Sequence, residues 1–489
     1  MQKLAKASAF LRHPLNARKR KAYRAQRLEA LELGSYITLR PQPDPIFRAL
    51  NPQIHSPTVG PTDGHAEQPK TSHPAISAII PNYNHARFLE ERVRSILDQK
   101  LGVSELIILD DASTDNSKDV IQKIASALPF PVTTVFNETN SGSIFSQWNK
   151  GLNLAQNELV WICESDDSCD SNFLQELASY FNDPSIMLAF GRVDYIDADG
   201  NPIREKNDHL DLSTFWREPR IASAYAWFNG PFGAKNVIAN VGGCIFRRQR
   251  ISSDLLSELC TYTICGDWFL YSNLARGGRI AYEPGARSYF RLHGKNSSVA
   301  ALKGAAFYEE HIRISNALRK HYGIQATTLR LLLQNAWTQC TANLGEQAAR
   351  MFARRNPLSE ILRSKRSIQH ILITMPEHLS LDAKTLIIRN ANELSSGGTD
   401  VTLLVHGILA DAPRGDFSPS IPILSHDVLN KLGSLQFLRT FGVSLVISNA
   451  PEADDDLLHG CRHLGVSYSQ VSSNVPEIAF NAQFRGEGC

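Results

Sequence analysis

No apolar run in the chain approaches the roughly 20 residues that a membrane-spanning helix needs. The N-terminus carries charges with no apolar core behind them, so a secretory leader is not expected. Cysteine is sparse: eight in 489 residues, at positions 163, 169, 244, 260, 265, 340, 461 and 489, with no CxxC pair among them. This spacing argues against a disulfide framework or a zinc ribbon and fits reduced thiols in a cytosolic protein. The sequons at Asn137 and Asn296 would then be idle. An excess of one charge sign is also missing. The 51 Lys and Arg against 49 Asp and Glu leave +2, which argues against a surface that binds nucleic acid globally. What remains is ordinary for a soluble globular protein, with 43% hydrophobic and 20% charged residues. The length calls for more than one domain.

The charge is unevenly placed. Residues 1–40 form a basic N-terminal arm, with Lys3, Lys6, Arg12, Arg18, Lys19, Arg20, Lys21, Arg24 and Arg27 against Glu29 in its first thirty residues. Leu11, Leu15, Tyr23 and Leu28 are interspersed, a pattern that suits a solvated arm first and peripheral contact with an anionic membrane surface second. An organelle transit peptide is a third reading, weakened by the shortage of serine. Residues 41–74 are rich in Pro, Gly, Thr, Ser and His and read as a linker.

Residues 75–300 read as a domain that begins with strands and helices in alternation. Ile76–Ile80 is a strand closed by Pro81-Asn82-Tyr83-Asn84, and a helix follows with Leu89, Val93, Ile96 and Leu97 on one face. Leu106–Leu109 is a second strand ending at Asp110-Asp111, and Ser113, Thr114 and Asp115 can cap the next helix. Val132–Phe136 is a third strand, Asn140-Ser141-Gly142 a loop, and Ile144–Ala155 a helix. Leu159–Cys163 is a fourth, wholly apolar strand. This β-α-β-α-β-α-β order predicts a parallel sheet with helices on its faces, whose ligands bind beyond the carboxyl ends of the strands. Pro81-Asn82-Tyr83, Asp110-Asp111 and Glu164-Ser165-Asp166-Asp167 all fall at such ends.

Carboxylates as crowded as Glu164, Asp166 and Asp167 repel unless a cation or a hydrogen-bond network holds them. Oxygen ligands suit Mg²⁺ or Mn²⁺, ions that commonly hold phosphates. A tyrosine face can stack on a nucleoside base, a carboxylate can accept from a ring N–H, and a positioned Asp can take a proton from a hydroxyl. Each residue also has a plainer role. Asp110-Asp111 can start a turn, Tyr83 can be a surface aromatic, and Asp267 can cap the helix through Trp268, Leu270 and Leu274.

The motifs AIIPNYN (78–84), ILDDASTDNS (108–117), NSGS with QWNKGL (140–152), VWICESDD (160–167), GDW (266–268) and YFRLHGKNSS (289–298) follow one another in an order that resembles the family 2 glycosyltransferases of GT-A fold. The resemblance covers about residues 75–300. It implies sugar transfer from a nucleotide-diphospho-sugar to an acceptor hydroxyl, with inversion. By matching position it implies that Pro81 and Tyr83 line the base pocket and that Asp111 hydrogen-bonds the base. Asp167 would bind a divalent Mg or Mn ion with Asp166 as its partner, and Asp267 would be the general base. In some relatives a His near His293 completes the metal shell, although a lone His is more often structural.

One departure stands out: Gln147-Trp148-Asn149 occupies the place where many members have Ala-Arg-Asn, so the Arg charge must come from elsewhere, with Lys150 the nearest source and Trp148 read as core. The QxxRW signature of processive members is absent near residue 268. Residues 180–262 are less regular. Asp197–Asn201 lacks calcium-loop spacing and reads as a hairpin turn. Phe215, Trp216, Trp227 and Phe228 read as core before acceptor platform. Gly242-Gly243 allows close backbone approach to a ligand.

Residues 301–366 are helical in pattern, with Ile312, Leu318, Leu329, Leu332 and Leu333 as apolar positions. Residues 367–489 read as a second α/β domain, with strands at 370–373, 401–405 and 445–448 and a helix at 382–394 stopped by Gly397-Gly398. It is Rossmann-like and similar to the N-terminal half of GT-B glycosyltransferases, with the half that normally holds the nucleotide-sugar missing. A truncated sequence and an acceptor-binding domain both account for that. The fold class expected is therefore α/β, a GT-A domain with a helical extension and a second Rossmann-like domain. The expected function is an inverting transferase of surface glycan or polysaccharide biosynthesis, cytoplasmic or peripheral at the inner membrane face. Its donor would be a UDP-sugar, with TDP and GDP donors as alternatives, and its acceptor a glycan or lipid-linked glycan. A catalytically silent sugar- or protein-binding scaffold is the alternative from another class. A GT-A-like nucleotidyltransferase is disfavoured, because no glycine-rich basic loop follows the first strand.

Overall fold

A computed structural model describes residues 74–203, 214–249, 251–294, 301–357, 361, 370–376, 379–396, 399–406, 421–449 and 454–470. The basic arm, nearly all of the linker, Asn296 and the Gly397-Gly398 turn lie outside the described residues. The first sheet opens with β1 (Ile76–Asn82), α1 (Ala86–Leu97), β2 (Glu105–Asp110), α2 (Ser117–Ala127), β3 (Val132–Phe136), α3 (Ile144–Leu154) and β4 (Leu159–Ile162). These four strands are parallel in the order β3-β2-β1-β4, as the alternating pattern predicts.

The second half of the sheet departs from that pattern. It contains β5 (Ser168–Cys169), β6 (Ile186–Ile196), β7 (Arg220–Ser223), β8 (Cys244–Arg247) and β9 (Arg279–Arg291), and the order continues β4-β8-β6-β9-β5 with β7 also on β9. β8 is antiparallel to β4 and β6, and β5 and β7 are antiparallel to β9. The sheet is therefore mixed. β6 and β9 run parallel, whereas β8 reaches β4 and β6, and β9 reaches β5 and β7, from distant parts of the chain, so no regular alternation of strand and helix marks this half.

β1 is buried along its whole length, as a central strand covered on both faces should be. Its side chains alternate between two cores. Ile76, Ala78 and Ile80 pack with Leu89, Val93, Ile96, Leu106 and Ile108 under α1. Ile79 packs on the opposite face with Ile107, Leu109, Trp148 and Leu152. That second core continues into α4 (Gly266–Leu274) and the helices beyond the sheet, α5 (Ala305–Tyr322), α6 (Ala326–Leu344) and α7 (Glu346–Arg355). Ile312, Leu318, Leu329 and Leu332 share it, so the helical extension packs directly on the sheet domain. Phe215, Trp216, Trp227 and Phe228 are buried in the same core. Asp197 closes a tight turn by accepting from the Asp199 and Asn201 amides, both at 2.9 Å.

A separate five-stranded sheet follows, built from β10 (His370–Met375), α8 (Leu381–Ser396), β11 (Asp400–Val405), β12 (Ile423–Ser425), β13 (Leu445–Ser448), α9 (Asp455–Leu464) and β14 (Ser467–Gln470). Its order is β12-β11-β10-β13-β14 and every pair is parallel, the doubly wound pattern with a switch point between β10 and β13.

Packing of α3 on β1 tolerates no added volume at Gly151, where a Cβ would lie 2.4 Å from Ile79 Cγ2. Gly151→Ala is therefore expected to destabilise the protein by about 1–3 kcal/mol despite its better helix propensity. An unchanged urea unfolding midpoint would mean that α3 lifts from the sheet freely.

Candidate active site

The carboxyl ends of β1, β2 and β4 open into one cavity of about 740 Å³. Pro81, Tyr83 and His85 from the β1 end line it, with Asp111 from the β2 end, Glu164 and Asp166 from the β4 end, and Asp267 from α4. Tyr83 is 45% exposed, with its ring at the cavity wall. Two non-glycine residues with positive φ stand beside it, Asn84 at 57° and Ala112 at 59°. Asn84 tolerates this conformation, and its Oδ1 accepts from the Thr114 amide at 2.7 Å, which ties the β1 and β2 ends together.

The two acids that end β2 have separate tasks. Asp110 is structural: its carboxylate accepts from Asn82 Nδ2 at 2.8 Å, Ser113 Oγ at 2.7 Å and the Ser113 amide at 2.9 Å. Asp111 faces the cavity. Its Oδ1 accepts from Asn137 Nδ2 (2.6 Å), the Ser141 amide (2.9 Å) and Gln147 Nε2 (2.8 Å), and its Oδ2 accepts from Ser141 Oγ (2.8 Å). A carboxylate has about four lone-pair sites, so Oδ2 keeps room for one more donor. Gln147, just before the position where an Arg is common, thus fixes Asp111. Lys150 does not replace the missing charge at the cavity wall; its ammonium donates to Asn137 Oδ1 at 2.6 Å, and it is absent from the lining. Trp148 is buried as expected for core, yet it also walls the cavity, and its indole N–H has no partner among the described residues.

The acids after β4 differ from the sequence-based assignment. Asp167 was the expected metal ligand, but its carboxylate is turned into the protein. Oδ1 accepts from the Arg291 amide at 2.8 Å, Oδ2 is held by Asn240 Nδ2, and the residue is 2% exposed. Burial first, then the charge of Asp166, push its pKa upward. Asp166 takes the cavity-facing place. Its Oδ2 lies 2.9 Å from His293 Nε2, and its Oδ1 lies 4.0 Å from His85 Nδ1. One ligand atom from each of His85, Asp166 and His293 falls within 4.8 Å of the others. Burial alone would raise Asp166, but the His293 hydrogen bond and the nearby His85 bring it below the usual carboxylate value. Phe88 stacks on His293 with ring centroids 5.3 Å apart, fixing the imidazole.

Two imidazoles and one carboxylate form a donor set suited to a borderline divalent ion such as Mn²⁺, rather than the all-oxygen set inferred from Glu164, Asp166 and Asp167. His293 therefore joins the acidic motif in space, although 127 residues separate it from Asp166. His85 was not singled out from the sequence. It directly follows the Pro-Asn-Tyr-Asn turn, and its position at a strand end was the available signal. Gly242 and Gly243, read as a place for ligand approach, pack instead on protein groups, with Arg92 beside Gly242 and Val193 and Ser288 beside Gly243.

Asp267 stands at the first turn of α4, partly open to the cavity. Its Oδ2 accepts from Asn236 Nδ2 at 2.8 Å and its Oδ1 from the Trp268 amide at 2.6 Å. Burial raises its pKa to about 7, with the charge of Glu310 adding to the rise and the two hydrogen bonds opposing it. Glu164, on the facing wall, is also raised well above the usual value, by burial and then by the charges of Asp167, Asp166 and Asp267. Gly266 is the residue that allows this approach: a Cβ there would fall 2.3 Å from Cζ of Phe145.

Residues 77–255 match the family model described as Glycosyl transferase family 2. An uncharacterized glycosyltransferase of Nostoc sp. is 27% identical over 235 residues, 48% of this chain and 70% of that protein. TuaG of Bacillus subtilis, a glycosyltransferase named for teichuronic acid biosynthesis, is 32% identical over 130 residues, 27% of this chain and 51% of that protein. GlyG of Streptococcus pneumoniae is 31% identical over 127 residues, 26% of this chain and 42% of that protein. Among solved structures, S. aureus TarS with UDP-GlcNAc aligns with a TM-score of 0.42 at 17% identity, over 65% of this chain and 80% of that one. The mannosyltransferase PcManGT of Pyrobaculum calidifontis aligns with a TM-score of 0.40 at 19% identity, over 69% of this chain and 89% of that one. The match over residues 77–255, with the motifs it contains, makes this segment similar to the family 2 glycosyltransferases.

Proposed function

We propose that the protein transfers a sugar, with inversion, from a nucleotide-diphospho-sugar to an acceptor hydroxyl, and that a UDP-sugar is the donor. The observation that carries this reading is the convergence of Tyr83, Asp111, the His85–Asp166–His293 cluster and Asp267 on one cavity at the strand ends. Tyr83 and Pro81 would pack on the base and the free lone pair of Asp111 Oδ2 would accept from it. His85, Asp166 and His293 would hold a divalent cation. When bound, such an ion offsets charge on a leaving diphosphate.

Asp267 would act as the general base. Its carboxylate takes the proton from the acceptor hydroxyl, the oxygen attacks the anomeric carbon from the face opposite the diphosphate, and the bond to the diphosphate oxygen breaks. One displacement inverts the anomeric configuration. A base with a pKa near the working pH is suited to this task. Trp268, buried behind Asp267 with its indole N–H donating to the Phe232 carbonyl at 2.9 Å, helps to keep water from that side. The similarity to TuaG supports an acceptor from surface glycan synthesis.

Release of nucleotide from UDP-glucose, UDP-galactose, UDP-N-acetylglucosamine and GDP-mannose with Mn²⁺ tests the reading, and NMR of the product reports the anomeric configuration. Turnover with none of these donors would favour a binding scaffold. Asp166→Asn is expected to weaken Mn²⁺-dependent UDP binding by about 10- to 100-fold, measured by titration calorimetry, and Asp167→Asn much less. Equal losses in both variants would reject the assignment of the metal contact to Asp166.

Asp267→Asn keeps the side-chain shape and removes the basic oxygen. Turnover should fall by about 10²–10⁴ while UDP affinity stays near that of the parent. A helix-capping role predicts instead a stability loss of about 1 kcal/mol with near-normal turnover. Because only the ionised carboxylate accepts a proton, kcat/KM should be full above the pKa of about 7 and fall as pH drops through it. A profile flat from pH 8 to pH 5 would remove Asp267 from the chemistry.

A further inference from the structure

Glu310 lies on α5, beyond both the sheet and the family-matched segment, and is only 5% exposed. Its carboxylate accepts three successive backbone amides. The Thr263 N–H reaches Oε1 at 2.6 Å, and the N–H groups of Ile264 and Cys265 reach Oε2 at 3.0 and 2.8 Å. These amides lead directly into α4, whose N-cap residue, Cys265, supplies no side-chain cap of its own. Glu310 therefore supplies from another helix the negative group that a helix N-terminus favours. Thr263 and Ile264 line the same cavity as Asp267.

Other side chains of α5 grip the same stretch. The Arg313 guanidinium donates to the Thr261 carbonyl at 3.0 Å and lies 3.8 Å from the centre of the Tyr262 ring. His311 meets Trp268 edge to face at 6.0 Å. The three bonds to Glu310 are charge-assisted and desolvated, the kind that hold a backbone segment most firmly.

We propose that Glu310 is a positioning residue for the transfer reaction, its carboxylate fixing the Thr263–Cys265 turn that presents Asp267 and standing close to that base. The proposal rests on Asp267 being the base. The charge has a defined sign of action: an anion nearby disfavours ionisation of Asp267 and so makes it more basic. The other titratable groups around Asp267 are Glu164 on the β4 side, Cys244 on β8, and Cys265 and Tyr271 on its own segment. Arg313 is the cation close to Cys265. Of these, Glu164 is itself raised well above the usual carboxylate value, and burial pushes both thiols and the phenol up. Glu310 is thus the neighbouring anion whose replacement is expected to move the base.

Glu310→Gln removes the charge and leaves one acceptor oxygen for three amides. Three results are expected. With the best donor of the panel above, kcat falls by about 10- to 100-fold. The acid limb of kcat/KM moves to lower pH, by on the order of half a unit. UDP affinity is unchanged. Independently of turnover, hydrogen exchange followed by mass spectrometry should rise in peptides covering 261–268 and not in those covering β1 or β2. A folded variant with the parent's acid limb and the parent's exchange at 261–268 would overturn the proposal, because a merely structural glutamate moves the melting temperature and neither of these. Asp267→Asn measured in parallel separates the two readings. If it turns over like the parent, the base assignment fails and the positioning role with it. If it is inactive while Glu310→Gln keeps the parent's limb and exchange, only the positioning role fails.

Discussion

Four carboxylates, those of Glu164, Asp166, Asp167 and Asp267, are drawn to one end of one sheet, and the site depends on how their mutual repulsion is contained. Each is handled differently. Asp167 is turned inward and given the Arg291 and Asn240 N–H groups. Asp166 is set against two imidazoles. Asp267 keeps two hydrogen bonds and a raised pKa, and Glu164 is raised further by the charges around it. Behind them, Arg92 is buried over the Trp161 ring at 4.8 Å, and its charge opposes the rise at both Glu164 and Asp167. Buried acids without such partners would simply protonate. The different environments push the pKa values apart, and that separation lets neighbouring carboxyl groups take distinct roles.

Arg291 connects this electrostatic arrangement to the fold. It is the last residue of β9 and almost fully buried. Its amide holds Asp167, its Nε donates to the Asp166 carbonyl at 2.8 Å, and its guanidinium reaches Glu91 on α1. The turn after β4 is thus fastened by a strand from the far, mixed half of the sheet. His293, two residues further on, arrives beside Asp166 and His85 by the same route.

The parallel half of the sheet was readable because buried parallel strands are continuous apolar runs between helices of regular period. Ile76–Ile80 and Leu106–Leu109 could hardly be anything else. The mixed half was not readable. The long β6 and β9 strands carry charged residues such as Arg192, Asp194 and Arg287; Asp194 pairs with Arg192 along β6 and with Arg287 across to β9, so no simple apolar pattern marks them. Within the site, the strand-end rule located Asp111, Glu164 and Asp166, while Asp267, on a helix, was reached through the GDW motif of the family resemblance. It did not say which of two adjacent acids faces the cavity, because neighbouring side chains diverge and the choice belongs to distant partners. Asn240 and Arg291 settle it for Asp167, as Ser113 and Asn82 do for Asp110. His85 escaped notice since a single histidine after a turn carries no periodic signal.

The helix carrying Asp267 is held at both ends by later parts of the chain. At its start stands Glu310. Near its close, the Tyr322 hydroxyl from α5 donates to the Ser272 carbonyl at 2.5 Å. Just beyond it, Arg276 pairs with Asp400 at 2.9 Å, and Thr402 Oγ1 donates to the Gly277 carbonyl at 2.7 Å. Asp400 and Thr402 belong to β11, so the second sheet meets the first domain at the helix that carries Asp267. Gly277 has φ +72°, and a Cβ there would lie 2.8 Å from Thr402 Oγ1, so the contact requires glycine on both counts. His370, buried with its two ring nitrogens against Phe441 O and Thr402 Oγ1, fixes the threonine from the other side. Trp268, Phe269, Leu270, Tyr271 and Leu274 pack the body of this helix into the main core. The contacts at its two ends add to that packing, and α5 and the second sheet thereby become part of the framework on which the position of Asp267 depends.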